Sequence, residues 1–372
     1  MLRITDRPPA AEEAGPGRPS GAAGRVRWVL LAVLALGVAF CVIILAAGLP
    51  SRRAAGAASA GGAGLVRVLP GGDRVLSGPS LAEVNSLADG MGTLWVTGGN
   101  AGQNHLLYAV NPATSRIYAT VTLPSRQVIN PGDVAAGPGA VWVAVGDSLY
   151  KVVPGLSGRA VIRPFATLPH GGLIGDVVTA AGAVWVDDTT RGAVYRYAAA
   201  TGRLDAAVAI GSTAGVMAVG DGGVWVADPD ARTVSRISVA RNRVDAVVTV
   251  PAAPTHLTAS GSTLWATGGT DGVMVVGAGR QVRTVRVGGE PTGLAAADGT
   301  VWVASTGAGT LTRIDARRDV VVATVPVGER PYAVAADPAG VWVAVLGQPV
   351  MDHVGSRVSG TLGWLLRLCG IG

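Results

Sequence analysis

The sequence predicts an all-β architecture, a seven-bladed β-propeller preceded by a single N-terminal transmembrane helix, and three observations carry that expectation. Seven tryptophans (Trp95, Trp142, Trp185, Trp225, Trp265, Trp302 and Trp342) each sit in a short apolar run behind a turn, as in GTLWV, GAVWV and GGVWV. Their spacings of 47, 43, 40, 40, 37 and 40 residues give a period near 40 without a helical pattern, which is the signature of four-stranded blades. Finally, 55 Gly and 22 Pro among 372 residues, with no three-residue period, point to many turns and exclude collagen. Only 15% of residues are charged, so a charged helical bundle is excluded too.

Residues 1–27 are rich in Pro, Gly and Ala with no apolar period, and a disordered cytoplasmic tail is expected there. Residues 28–48, WVLLAVLALGVAFCVIILAAG, are 21 consecutive uncharged residues, long enough as a helix to cross a hydrocarbon core of about 30 Å. Arg3, Arg7, Arg18, Arg25 and Arg27 precede this run and Arg52 and Arg53 follow it. The excess before the helix favours a cytoplasmic N-terminus and an extracytoplasmic body, a single-pass cell-membrane protein. The alternative is a cleaved signal peptide, for which Ala58-Ser59-Ala60 has the small-residue pattern. Residues 49–64, ending GAASAGGAG, read as a flexible linker of small residues.

The propeller is expected over 65–350. In residues 290–328, Leu294 to Ala297 form an inner strand and Asp298-Gly299 a hairpin turn. Thr300 to Ala304 return as the second strand, TLTRID alternates as a half-exposed third, with Arg313 and Asp315 outward, and VVVATVPV is the outer fourth. Pro131, Pro254, Pro291 and Pro331 fall at starts of inner strands, where a missing N–H costs no ladder bond. After Trp342 no outer pair of strands follows, whereas LVRVLPGGDRVLSG (65–78) has the spacing of a third and fourth strand. The N-terminal strands are therefore expected to complete the last blade and close the ring. Residues 351–372 form a surplus C-terminal tail, too short and too rich in Gly and Arg to span a membrane.

The units TVSRISVARNRVDAVVTV and TLTRIDARRDVVVATVPVGERPYAVAADPAGVWVA resemble the YVTN-type β-propeller repeat, related to NHL propellers and to the virginiamycin B lyase family. The resemblance covers about 65–350 and implies the propeller fold. The lyase relatives imply acidic and His residues on the rim with a divalent metal, an acid following the Trp-containing strand. Here the third position after each Trp is Gly98, Val145, Asp188, Asp228, Gly268, Ser305 and Val345, with no Glu and no adjacent His. His256 with Glu290 is the His and Glu pair that neighbouring blades offer.

Strand alternation brings interblade connections and the loops between second and third strands to one face. The first set holds Asn130, His170, His256, Glu290, Glu329 and Arg330. The second holds Asp147, Asp187, Asp188, Arg191, Asp228, Asp230, Arg232 and Asp271. Asp in a Gly-rich turn commonly caps its own backbone, whereas turn formation does not require the interblade His and Glu. The candidate ligand-binding rim is thus Asn130, His170, Asp188, Asp228, His256, Glu290, Glu329 and Arg330; no catalytic residue and no metal ligand is assigned. The four histidines include no HExxH and no pair at ligand spacing, and no EF-hand loop is present. Two cysteines, Cys41 and Cys369, build no disulfide framework.

No GxSxG or phosphate loop occupies a strand-to-helix context. The net charge of +6 divides unevenly: seven Arg face three acids before residue 65, and 23 cations face 21 acids after it. A nearly neutral body supplies no basic face for nucleic acid. The chain therefore reads as a membrane-anchored binding module with no cofactor, engaging the membrane through 28–48 and a protein or envelope ligand through its rim. Alternatively it is a metal-dependent lyase or hydrolase, the one case in which a divalent metal is expected, or a structural scaffold in an envelope complex.

Overall fold

The computed structural model describes residues 63–69, 75–81, 83–100, 104–124, 132–155, 160–211, 213–337 and 339–346. The expected tail, transmembrane helix, most of the linker and the C-terminal tail lie outside the described residues. Among the described residues, no helix is long and apolar enough to cross a membrane.

Two strands, β1 (Ala63–Val68) and β2 (Val75–Leu81), precede the first full blade. That blade is β3 (Ser86–Gly90), β4 (Thr93–Asn100), β5 (Asn104–Asn111) and β6 (Arg116–Thr122). The second is β7 (Val134–Gly137), β8 (Ala140–Val145), β9 (Ser148–Pro154) and β10 (Ala160–Thr167). The third is β11 (Val177–Ala180), β12 (Ala183–Asp188), β13 (Ala193–Ala198) and β14 (Leu204–Ala209). The fourth is β15 (Met217–Gly220), β16 (Gly223–Asp228), β17 (Thr233–Ser238) and β18 (Arg243–Thr249). The fifth is β19 (His256–Ser260), β20 (Thr263–Thr267), β21 (Gly272–Val276) and β22 (Val282–Arg286). The sixth is β23 (Pro291–Ala297), β24 (Thr300–Ser305), β25 (Thr310–Asp315) and β26 (Val320–Pro326). In the seventh, β27 (Pro331–Asp337) and β28 (Gly340–Leu346) are joined by β1 and β2 in the order β2-β1-β28-β27.

The ring is a seven-bladed, all-antiparallel propeller closed across its chain ends. Leu65 pairs with Ala344 and Arg67 with Trp342 in the closing register, and β1 begins at Ala63, just before the boundary read from the sequence. Inner hairpins turn through two consecutive residues with positive φ, such as Asp298 (48°) with Gly299 (71°) and Asp221 (51°) with Gly222 (65°). That is the geometry of a type I′ turn, whose twist suits the flanking strands.

Every residue of β8, β12 and β16 is buried because blades cover both faces. Each core cluster spans a blade boundary: Trp142 packs with Val184, Val186, Tyr195 and Tyr197 of the next blade, and Trp185 with Val224, Val226 and Ile237. Removing this apolar surface from water stabilises by roughly 25 cal/mol per Å², so blade contacts, rather than any single sheet, hold the ring.

The third strands are more buried than simple alternation suggests. Their cation stands directly opposite the Trp of the second strand, as in Trp302 with Arg313, Trp185 with Arg196 and Trp142 with Lys151. The charge lies over the indole at 5.7, 5.4 and 5.4 Å from its centre, respectively. Several of these cations reach the next blade. Arg196 donates to Val239 O (3.2 Å) and Asn242 Oδ1 (2.7 Å), Lys151 Nζ to Ala199 O (3.0 Å), and Arg67 to Pro112 O. Packing under an indole and bonding to a neighbouring carbonyl draw in side chains whose alternation alone implies solvent.

Candidate functional site

The central channel opens where the inner strands begin. The residue nine positions before each Trp stands at that end: Ser86, Asp133, Asp176, Val216, His256, Gly293 and Ala333. All but Gly293 line a cavity of about 610 Å³. The sixth and seventh blades share a bulge at this point, between Pro291 and Gly293 and between Pro331 and Ala333. Strand periodicity places one residue per blade at the mouth, and in three blades that residue is ionisable.

A polar network runs through four blades. Ser86 Oγ donates to Asp133 Oδ1. The Val177 amide donates to both Asp133 Oδ2 (3.0 Å) and Asp176 Oδ1 (2.7 Å), so one N–H brings the two carboxyl groups together. The Met217 amide donates to Asp176 Oδ2. Behind them Asp187 Oδ1 accepts from the Gly175 and Asp176 amides at 2.7 and 2.6 Å, while its buried Oδ2 has no partner. These bonds clasp one inner strand to the next and hold the mouth rigid.

Burial, then the charge and hydrogen bond of Asp133, and then Asp187, hold the Asp176 carboxyl well above the usual carboxylate range. Burial raises Asp187 to about 7 against the pull of the backbone amides bonded to it. The His256 ring reaches channel water yet protein crowds most of its surroundings. That crowding lowers its pKa, and the charge of Asp133 acts the other way. The mouth therefore gathers two neighbouring carboxyl groups, one of them held well above the usual carboxylate range, with a hydroxyl and an imidazole whose pKa is lowered. This set both donates and accepts hydrogen bonds in a partly enclosed space.

The other sequence-derived candidates occupy the surrounding loops. Asn130 lies outside the described residues. His170 is exposed with φ of 67°, and its carbonyl accepts from Arg191 Nη2 at 3.0 Å. Asp188 is buried and accepts from Thr190 N (3.0 Å), Thr190 Oγ1 (2.5 Å) and Arg191 Nη1 (3.3 Å); buried Asp228 accepts from Ala231 N (2.9 Å). Both thus cap their own loops. Glu290, Glu329 and Arg330 are exposed around the loop between β24 and β25. Glu329 and Arg330 line a shallow groove of about 530 Å³ with Thr306 to Gly309, and the Glu290 carboxylate lies beside Gly307. The structure thus brings Glu290, Glu329 and Arg330 to one locality and His256 to another, the channel.

The sequence reasoning does not single out Asp133 and Asp176, each of which is the last residue before an inner strand. The available signal is the repeated Gly-Asp-Val in Gly132-Asp133-Val134 and Gly175-Asp176-Val177 at one offset from Trp. Among the described residues, no group of three or more His, Cys, Asp or Glu is placed to hold a metal ion.

No protein-family model and no curated protein matches the chain. Among solved structures it is similar to the hydrazine synthase of Kuenenia stuttgartiensis, at a TM-score of 0.60 and 14% identity, over 73% of this chain and 96% of that one. At that identity the likeness is one of fold, and the fold the chain shares is the β-propeller.

Proposed function

We propose that this protein is a membrane-anchored, extracytoplasmic binding module whose propeller captures a ligand at the channel mouth and the loops around it, without turnover. The observation that carries the proposal is the 610 Å³ cavity where Ser86, Asp133, Asp176 and His256 converge. Blade packing explains the Trp, Gly and Pro of each repeat but does not call for an imidazole facing the channel. A cavity with a few convergent polar groups is the usual form of a ligand site, and a propeller offers binding surface generally. Anchoring rests on the 21-residue apolar run at 28–48 and the arginines before it. We take the blades to be YVTN-type repeats on the strength of the repeat residues themselves.

The test is capture by the detergent-solubilised full chain, read by mass spectrometry, with His256→Ala, Glu290→Ala and Arg330→Ala combined. Loss of capture with an unchanged thermal midpoint is expected. Capture that survives the triple change but fails on alteration of the opposite face, or measured turnover of a substrate, overturns the proposal. A reporter fused after residue 372 that is active only in the cytoplasm overturns the topology.

A further inference from the structure

On the outside of the ring, between the second and third blades, lies a groove of about 410 Å³ lined by Lys151, Arg163, Thr201, Phe165, Val153 and Val161, among others. Its charge arrangement departs from the rest of the propeller. In four other blades the third-strand cation faces an apolar residue on the outer strand: Arg196 faces Ala206, Arg236 Ala246, Arg313 Ala323 and Arg67 Leu76. Here Lys151 faces Arg163, and the neighbouring pair Val153 with Val161 shares the same face of the sheet. Like charges directly opposite one another across antiparallel strands are destabilising. Among the described residues no carboxylate lines the groove, and neither cation has a salt bridge.

The groove has a fixed floor and hydrogen-bond donors. Lys151 Nζ lies 5.8 Å from the Phe165 ring centre and, among the described residues, gives one hydrogen bond, to Ala199 O at 3.0 Å, of the three that an ammonium can give. The next blade closes the groove through the Ala199–Gly202 turn. Gly202 has φ of +72°, and a Cβ there would stand 2.6 Å from Phe165 O, so glycine alone permits this close approach. Two unneutralised cations, a hydroxyl at the edge and an aromatic and aliphatic wall together call for one kind of occupant.

We propose that this groove binds an organic oxyanion, a phosphate or carboxylate on a flat apolar body. The oxyanion sits between the Lys151 ammonium and the Arg163 guanidinium, and the body packs on Phe165, Val153 and Val161. The anion relieves the like-charge opposition and gains charge-assisted hydrogen bonds from both partners.

Lys151 is the single lysine of the chain, so growth on ε-13C-lysine gives the full-length protein one side-chain signal at the site. Phenyl phosphate should shift it saturably, and inorganic phosphate should bind about tenfold or more weakly for lack of the apolar contact. Arg163→Ala should weaken phenyl phosphate about tenfold or more, with Arg203→Ala, a cation outside the groove, leaving it unchanged. Arg163→Glu should abolish the response and raise the thermal midpoint, because an opposed pair replaces a like pair. Phosphatidylglycerol bicelles, whose phosphodiester headgroup has no flat apolar body, should give no saturable shift, and a shift with bicelles but none with phenyl phosphate would overturn the proposal. No saturable shift with phenyl phosphate, equal titration in Arg163→Ala, equal affinity for inorganic phosphate, or a lower midpoint in Arg163→Glu overturns the proposal.

Discussion

Replacing Asp187 by Asn should remove its contribution to the pH dependence of stability, so that the variant is the less stable chain in acid and the more stable one above neutrality. Asp187 is fully buried, with its carboxyl raised from 3.8 to about 7 by that burial. The native state therefore keeps a proton that the unfolded chain has released, and stability falls as pH rises from about 4 through 7. A shift of about three pKa units corresponds to roughly 4 kcal/mol lost by pH 8 relative to pH 4. Asparagine keeps the oxygen that accepts from the Gly175 and Asp176 amides but places N–H groups where Oδ2 has no partner, at a cost of about 1–3 kcal/mol. Asp187→Asn should thus be less stable than its parent by about 1–3 kcal/mol at pH 4 and more stable by about the same amount at pH 8. Urea unfolding followed by tryptophan fluorescence at pH 4, 6 and 8 measures the difference; titrating groups remote from the mouth cancel, whereas Asp176 and Asp133, which are coupled to Asp187, contribute with it. A difference that is constant across this range would refute the assignment of a buried, protonated Asp187.

Removal of residues 1–81 should uncover the edge of β28 and withdraw the buried Leu65, Val66 and Val68, a loss of about 5–9 kcal/mol and comparable to the stability of a whole domain. A chain starting at residue 63 should melt cooperatively, and equal midpoints for the two chains would disprove the seam. Arg196→Ala removes two hydrogen bonds to the next blade as well as its stack on Trp185, and should cost about 2–4 kcal/mol in thermal or urea unfolding. Arg313→Ala removes the stack on Trp302 and should cost about 0.5–1 kcal/mol; equal losses would mean that the interblade bonds contribute nothing.

The blades are legible in the sequence because the element that repeats, a Trp in a buried second strand, is the one that neighbouring blades enclose most fully. TLTRID and VVVATVPV match β25 and β26, and the orphan strands near residue 65 could be assigned to the seventh blade by counting. The role of Arg196 or Lys151 was not legible in the same way. Alternation says which face a side chain takes, but the indole beneath it and the carbonyl beyond it belong to other strands whose register the sequence does not print. The mouth shows the same limit. His256 stood out as a histidine without a turn to build, whereas Asp133 and Asp176 become a pair only when adjacent inner strands bring both to the Val177 amide. Conversely, Asp188 and Asp228 have the composition of rim ligands, and their carboxylates are engaged in their own loops.

The seam in the seventh blade also sets the order in which the protein matures. Six blades are each made of four consecutive strands, so their hairpins form between near neighbours as soon as the chain is available. The seventh needs β1 to find β28 from the far end of the ring, a contact whose loop-closure entropy is met only after the intervening blades have stacked. Until then β1 pairs only with β2 and β28 only with β27, and their facing edges, rich in Val and Leu, stay open, which exposes the half-closed ring to aggregation or to exchange of β1–β2 between copies. Closure is therefore the pairing with the largest sequence separation in the ring, and a peptide of residues 63–81 supplied in trans should compete for the β28 edge if that pairing forms late.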